Sequence, residues 1–214
     1  MSDRTDIVII LDRSGSMQSR KDDHEGGLRS FIRDQRQLAG EVRVTLVRFD
    51  TADPCEIAMA ERLVGEVQDD DLILVPRGGT PLLDAVGETL TKFAHLTGRV
   101  ICMVITDGQE NDSRTWKKAA VQDLVTSRTA VGWTVLYLGA NVDEFAEAGG
   151  IGVGAQHAAG YADSPRGTQT MYRTASEKLL QARAVAPGAS AGIMAFTAEE
   201  RAHLKAEDKG DETP

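Results

Sequence analysis

Apolar positions along this chain follow two alternating rhythms. Ile7-Val8-Ile9-Ile10-Leu11 is an unbroken run rich in β-branched residues, the signature of a strand buried on both faces. Leu28, Phe31, Ile32, Gln35 and Leu38 then recur at helical spacing, and Gly40 is expected to close that helix. Residues 42–49 alternate more clearly between apolar and polar, which predicts a strand nearer an edge. Residues 55–60 follow after a short link containing Asp50, Asp53 and Pro54. So short a link permits an antiparallel neighbour and hardly a parallel crossover.

Pro81 opens the next predicted helix, with Val86, Leu90, Phe93 and Ala94 on one face. Residues 100–105 form a second wholly apolar strand. Trp116, Ala120 and Leu124 mark a helix, and residues 133–138 a strand. Asn141 and Glu144 read as a capping pair for a short helix ending at Gly149-Gly150. A weak strand is expected around residues 151–156, and Met171, Ala175, Leu179 and Ala182 carry a last helix. From Ala184 the periodicity thins, so residues 184–214 are expected to be a charged extension, frayed at its end. The alternation predicts one doubly wound α/β domain over residues 4–183. Its sheet is central, six-stranded and mostly parallel, with one antiparallel edge strand and helices on both faces.

Composition narrows the class. A chain of 214 residues, 41% hydrophobic and 27% charged, is ordinary for one globular domain. It has no apolar run of about 18 residues, so no membrane span is expected. The polar N-terminus leads straight into a strand and does not read as a signal peptide. The only cysteines are Cys55 and Cys102, the latter inside an apolar strand, so neither a disulfide framework nor a thiolate metal site is expected. Reducing cytoplasm is the expected compartment. The net charge is −9 and no Lys/Arg stripe with interleaved aromatics appears, which disfavours nucleic acid and suits divalent cations better. His24, His95, His157 and His203 share no ligand spacing and are expected at the surface or boundary. Gly150-x-Gly152-x-Gly154 lacks a strand–turn–helix setting and reads as a loop, and Asp69-Asp70-Asp71 as a solvated turn. Neither a P-loop nor a Gly-x-Ser-x-Gly elbow is present.

The two most apolar strands should be central and adjacent, and each ends in an aspartate: Asp12 and Asp107. Ligands of parallel sheets bind beyond the carboxyl ends of strands where the winding reverses. Strands about 4.8 Å apart would bring the two carboxylates into one crevice, where a cation lets both stay ionised. Asp12-x-Ser14-x-Ser16 adds two hydroxyls from one turn, and Thr80 could add a third. Oxygen ligands with few charges suit a hard ion, Mg²⁺ first, then Mn²⁺ or Ca²⁺, and the lack of His and Cys argues against zinc. Each residue also has a purely structural reading. Ser14 or Ser16 could cap the first helix, Thr80 could cap a helix with Pro81 at its first position, and Asp107-Gly108 could be a turn.

Asp12-x-Ser14-x-Ser16, Thr80 before a helix, and Thr106-Asp107-Gly108, in that order and spacing, resemble the metal-ion-dependent adhesion site (MIDAS) of von Willebrand factor A (VWA) domains. The resemblance spans roughly residues 4–183, and Leu11 to Met17 is similar to small stand-alone intracellular bacterial or phage members. It implies a Rossmann-like VWA fold with Asp12, Ser14, Ser16, Thr80 and Asp107 as metal ligands, some through water. One position would be left open for a partner's carboxylate.

The expected function is therefore a metal-dependent protein-binding module, not an enzyme, that grips an Asp or Glu of a protein partner. Loops 17–27, 77–81 and 108–115 would choose that partner, with Arg13 and Arg77 flanking the ion to favour an acidic segment. The resemblance also implies a possible AAA+ MoxR-type ATPase system as partner. Glu110 and Asp112 could tune the ion or cap the next helix. The rivals are a metal-dependent phosphatase or hydrolase, which lacks an evident base beside the hydroxyls, and a structural or assembly component independent of the metal.

Overall fold

The structure, a computed structural model, describes residues 4–186 and 189–206. Six strands form one sheet: β1 (Thr5–Asp12), β2 (Val42–Phe49), β3 (Glu56–Leu63), β4 (Arg99–Thr106), β5 (Trp133–Gly139) and β6 (Ala158–Gly160). Their order is β3-β2-β1-β4-β5-β6, and only the β2–β3 pair is antiparallel. The chain winds outward from β1 to β3, then returns to β4 on the other side of β1. The winding therefore reverses between β1 and β4, the place where such sheets present ligands.

Every residue of β1 and β4 is buried, which explains why their sequences are apolar throughout rather than alternating. The pleat still sorts them. Ile7, Ile9 and Leu11 join α1 (Lys21–Gln35) and α5 (Pro165–Arg183) in one core, whereas Val8 and Ile10 join α2 (Leu82–Lys92), α3 (Lys118–Ala130) and α4 (Glu144–Gly150) in the other.

Four expectations are corrected by local physics. The first helix stops at Gln35, and Leu38 lies beyond it, half-exposed in the turn before Gly40 (φ +111°). Residues 151–156 form no strand. Gly152 takes φ +85°, Ile151 and Val153 plug the core from a loop, and the edge strand is β6. Asn141 does not cap α4. Asp143 does, accepting from the Phe145 and Ala146 amides, while Asn141 sits at φ +56° and donates to Asp163. His24 is not at the surface: it is 1% exposed, with Nδ1 3.1 Å from the Tyr172 hydroxyl.

Beyond Arg183, where the sequence pattern shows no element, lie α6 (Ser190–Met194) and α7 (Ala198–Lys205). Met194, Phe196 and Leu204 enter the core, and a Thr197–Glu200 capping box starts α7. Ile193 to Phe196 is a short apolar run with no helical repeat after it, and Leu204 stands alone among charged residues, so no periodicity registers. The frayed end expected of the extension falls largely on residues 207–214, outside the described residues.

Candidate metal centre

Parallel pairing of β1 with β4 sets Leu11 opposite Ile105, so Asp12 and Thr106 end the two strands side by side. Asp12 Oδ2 accepts from the Thr106 hydroxyl at 2.6 Å, and its Oδ1 accepts from the Ser14 amide at 2.6 Å. The Ser14 and Ser16 hydroxyl oxygens are 3.0 Å apart, and Ser16 donates to Asp107 Oδ1 at 2.6 Å. An ideal Cβ on Gly108 would sit 3.2 Å from Thr80 Oγ1 and 3.9 Å from Ser16 Oγ, so both hydroxyls border the same small space. The structure thus brings Asp12, Ser14, Ser16, Thr80 and Asp107 together, from three separate loops.

The alternative capping roles are not what these side chains do. Ser14 precedes a 3-10 turn (Gly15–Arg20) yet makes no side-chain cap. The helix α2 begins at Leu82, with Pro81 rather than Thr80 at its N-cap. Its first free amides are taken by a different loop: Glu110 Oε2 accepts from Leu83 N at 2.8 Å and Ser113 Oγ from Asp84 N at 3.1 Å. In return Asp84 accepts from the Arg114, Thr115 and Trp116 amides. Glu110 and Ser113 therefore cap α2, not the following helix. Thr80 is left buried at the edge of the same space.

The electrostatics fit a cation. Burial raises the Asp12 carboxyl to about 6, against the pull of Thr106 and Ser14, and the Asp107 charge adds to the rise. Burial likewise raises Asp107, opposed by its bond from Ser16, with Asp163 adding to the rise. A serine hydroxyl that donates to a carboxylate keeps its lone pairs free, so the Ser16–Asp107 bond is compatible with ligation by both. Among the described residues no group of three or more His, Cys, Asp or Glu could hold a metal. Any ion here would be held largely by hydroxyls, with two carboxylates, a set that fits a hard divalent cation.

Arg13 and Arg77 do not flank the site as expected. Both turn to Asp50, with Nε atoms 2.6 and 2.9 Å from its Oδ2, and Arg13 also pairs with Glu56. Buried Asp50 offers both guanidiniums an ion-pair partner inside the protein. Sequence reasoning missed Asp50 and the cap of α2 by Glu110, because their partners lie far off in the chain. Thr106 carries no signal in the sequence beyond its place in Thr106-Asp107-Gly108, although its hydroxyl bonds Asp12.

No protein-family model and no curated protein matches the chain. Solved structures do. The von Willebrand factor domain of the type V pili tip protein Mfa5 from Porphyromonas gingivalis is 12% identical, with a TM-score of 0.62, covering 84% of this chain and 96% of that one. A von Willebrand factor type A protein from Catenulispora acidiphila is 15% identical, with a TM-score of 0.60, covering 84% of this chain and 43% of that one. Proximal thread matrix protein 1 (PTMP1) from the mussel byssus, with a zinc-occupied MIDAS motif, is 12% identical, with a TM-score of 0.61, covering 83% and 46%. The chain spans less than half the length of the Catenulispora and mussel proteins. The fold is that of VWA domains, a Rossmann-like sheet with one antiparallel strand.

Proposed function

We propose that this chain is a divalent-metal-dependent protein-binding module in which Asp12, Ser14, Ser16, Thr80 and Asp107 hold one ion. The observation that carries this reading is the convergence of two buried carboxylates and three hydroxyls at the β1–β4 switch point. When bound, the ion supplies a Lewis-acidic anchor for a partner's carboxylate. The chain's own part is to hold the oxygens together, with Thr106 fixing Asp12 and Ser16 fixing Asp107. The zinc-occupied motif of mussel PTMP1 supports a divalent ion and adds zinc to the candidates, despite the absence of His and Cys here. Mg²⁺ stays first on ligand chemistry, with Mn²⁺ and Ca²⁺ next.

A binding role is favoured over hydrolysis because Asp12 and Asp107 are bonded by hydroxyls and an amide, not by a histidine or lysine that could activate a nucleophile. The partner chemistry we propose is a protein segment presenting Asp or Glu, with an AAA+ MoxR-type system as one setting and the cytoplasm as the compartment. Among the described residues no helix is long and apolar enough to cross a membrane. The test is calorimetric titration of Mg²⁺, Mn²⁺, Ca²⁺ and Zn²⁺ into wild type and Asp12→Ala, with circular dichroism to check folding. One ion bound by wild type and none by the folded variant supports the reading; wild type that binds no ion overturns it.

A further inference from the structure

We propose that the turn between β2 and β3, through Asp50 and Thr51, is the positioning element of the metal centre: it holds the first two ligand loops in register, the third being joined to them through Asn111, without supplying a ligand. The proposal rests on the metal reading above and assigns a role to residues outside the five candidate ligand residues.

Asp50 is fully buried, and its own turn fixes its carboxylate, since Oδ1 accepts from Ala52 N at 2.6 Å and Asp53 N at 3.1 Å. The other oxygen, Oδ2, takes Nε–H of Arg77 at 2.9 Å and pairs with Arg13 at 2.6 Å. Arg13 stands between ligands Asp12 and Ser14, and Arg77 leads into Gly78-Gly79-Thr80. Their backbones are stitched in parallel: Arg77 N donates to Arg13 O at 2.8 Å, and Gly15 N to Gly78 O at 2.9 Å. One buried carboxylate thus anchors the first and second ligand loops to the same point.

Thr51 makes the next link. Its hydroxyl oxygen accepts from Gly79 N at 2.7 Å, one residue before Thr80. Asp112 of the third loop lies beside it, an ideal Cβ on Gly79 falling 3.2 Å from Thr51 Oγ1 and 3.5 Å from Asp112 Cβ. Beside it, Asn111 closes a two-way bridge, accepting from Thr80 N at 2.9 Å and donating to Thr80 O at 3.2 Å. The packing leaves no slack. A Cβ on Gly78 (φ +66°) would lie 3.0 Å from Thr51 Oγ1, and one on Gly79 only 2.8 Å from Asn111 Oδ1. Asp50 also has an electrostatic effect, since losing its charge leaves Arg13 with Glu56 alone and Arg77 without this partner, and the excess positive charge next to the ligand loops would oppose a cation.

Residues that orient ligands typically change metal affinity by about 10–100-fold when altered. The test uses the full chain with Asp50→Asn, Thr51→Val and, as a stability-matched control away from the site, the core variant Val125→Ala. Two quantities are read: Mn²⁺ affinity, and amide hydrogen exchange at Gly15, Arg77 and Gly79 in the metal-free protein. The expected result is that Asp50→Asn weakens Mn²⁺ binding about 10–100-fold and speeds exchange at all three amides. Thr51→Val speeds Gly79 alone with a smaller loss of affinity, and Val125→Ala changes neither. Should Asp50→Asn not fold, Thr51→Val carries the test. Folded variants with wild-type exchange and affinity overturn the proposal while the metal reading stands. A wild type that binds no ion overturns the metal reading instead, and the exchange data alone then decide whether the turn holds the loops.

Discussion

Thr106 and Asp12 meet at the ends of neighbouring parallel strands, with the threonine hydroxyl donating to Asp12 Oδ2 over 2.6 Å. The Thr106 hydroxyl also accepts from Gly108 N at 3.1 Å, so one side chain ties the Asp12 carboxylate to the loop that carries Asp107. Both residues are fully buried, where an orphaned acceptor is costly.

Thr106→Val keeps the shape and removes these bonds. We expect a stability loss of about 1–2 kcal/mol and metal affinity lowered roughly tenfold or more. Urea denaturation and calorimetric titration of the same preparation separate the two effects. Unchanged affinity would show that Thr106 serves only the strand ends.

Glu110 offers a second separation of fold from site. Its carboxylate accepts from the amides of Leu83, Asp112 and Ser113 and from the Ser113 hydroxyl. Glu110→Ala is expected to cost about 2 kcal/mol, as loss of a strong helix cap does. Because Thr80 lies just before the helix that this cap secures, metal affinity should fall as well. Glu110→Gln, which keeps an acceptor for Leu83 N, should recover part of both. A titration in which Glu110→Ala binds metal like wild type would detach the cap from the site.

Gly27 tests the packing behind the site. An ideal Cβ there would fall 2.1 Å from the Tyr172 ring, which lies on α5 and is itself buried. Gly27→Ala must push α1 and α5 apart, and we expect a loss of about 2–3 kcal/mol, the range for overpacked cores. Thermal unfolding checks this. A melting temperature within a degree or so of wild type would mean that the helices yield without strain.

The boundary between what was legible in the sequence and what was not follows chain separation. Strands β1 and β4 declare themselves as unbroken apolar runs, and their terminal aspartates follow from that placement alone. Ser14 and Ser16 lie in the same turn as Asp12, and Thr80 abuts a helix-opening proline, so all five candidate residues could be named before the loops were seen to converge. The Arg13–Asp50–Arg77 cluster could not, because each partner is an ordinary charged residue some 27–37 positions from another, with no local pattern to mark the pairing. Reading Arg13 and Arg77 as ligand-facing charges failed for that reason. The fate of His24 was equally hidden, since its burial depends on Tyr161 and Tyr172, far along the chain.

His24 should make stability fall in mild acid. Its ring lies edge-on to Tyr161 and Tyr172, and burial pushes its pKa down to about 4, with Asp163 opposing the fall and Arg20 adding to it. An unfolded histidine titrates near 6.5. Between these values the unfolded chain takes up a proton that the folded chain refuses. The stabilisation is therefore complete above about pH 6.5, falls as pH drops, and levels off below about 4. The gap corresponds to at most about 3 kcal/mol. Asp12 acts with the opposite sign in metal-free protein, since its raised pKa gives the folded state the greater proton uptake as pH falls. The difference between wild type and His24→Asn isolates the histidine. Urea midpoints measured from pH 4 to 7 in chelator should converge with acidification, wild type losing stability more steeply than the variant. Parallel profiles would mean that the buried ring accepts its proton in place, with Tyr172 or Asp163 moving to receive it.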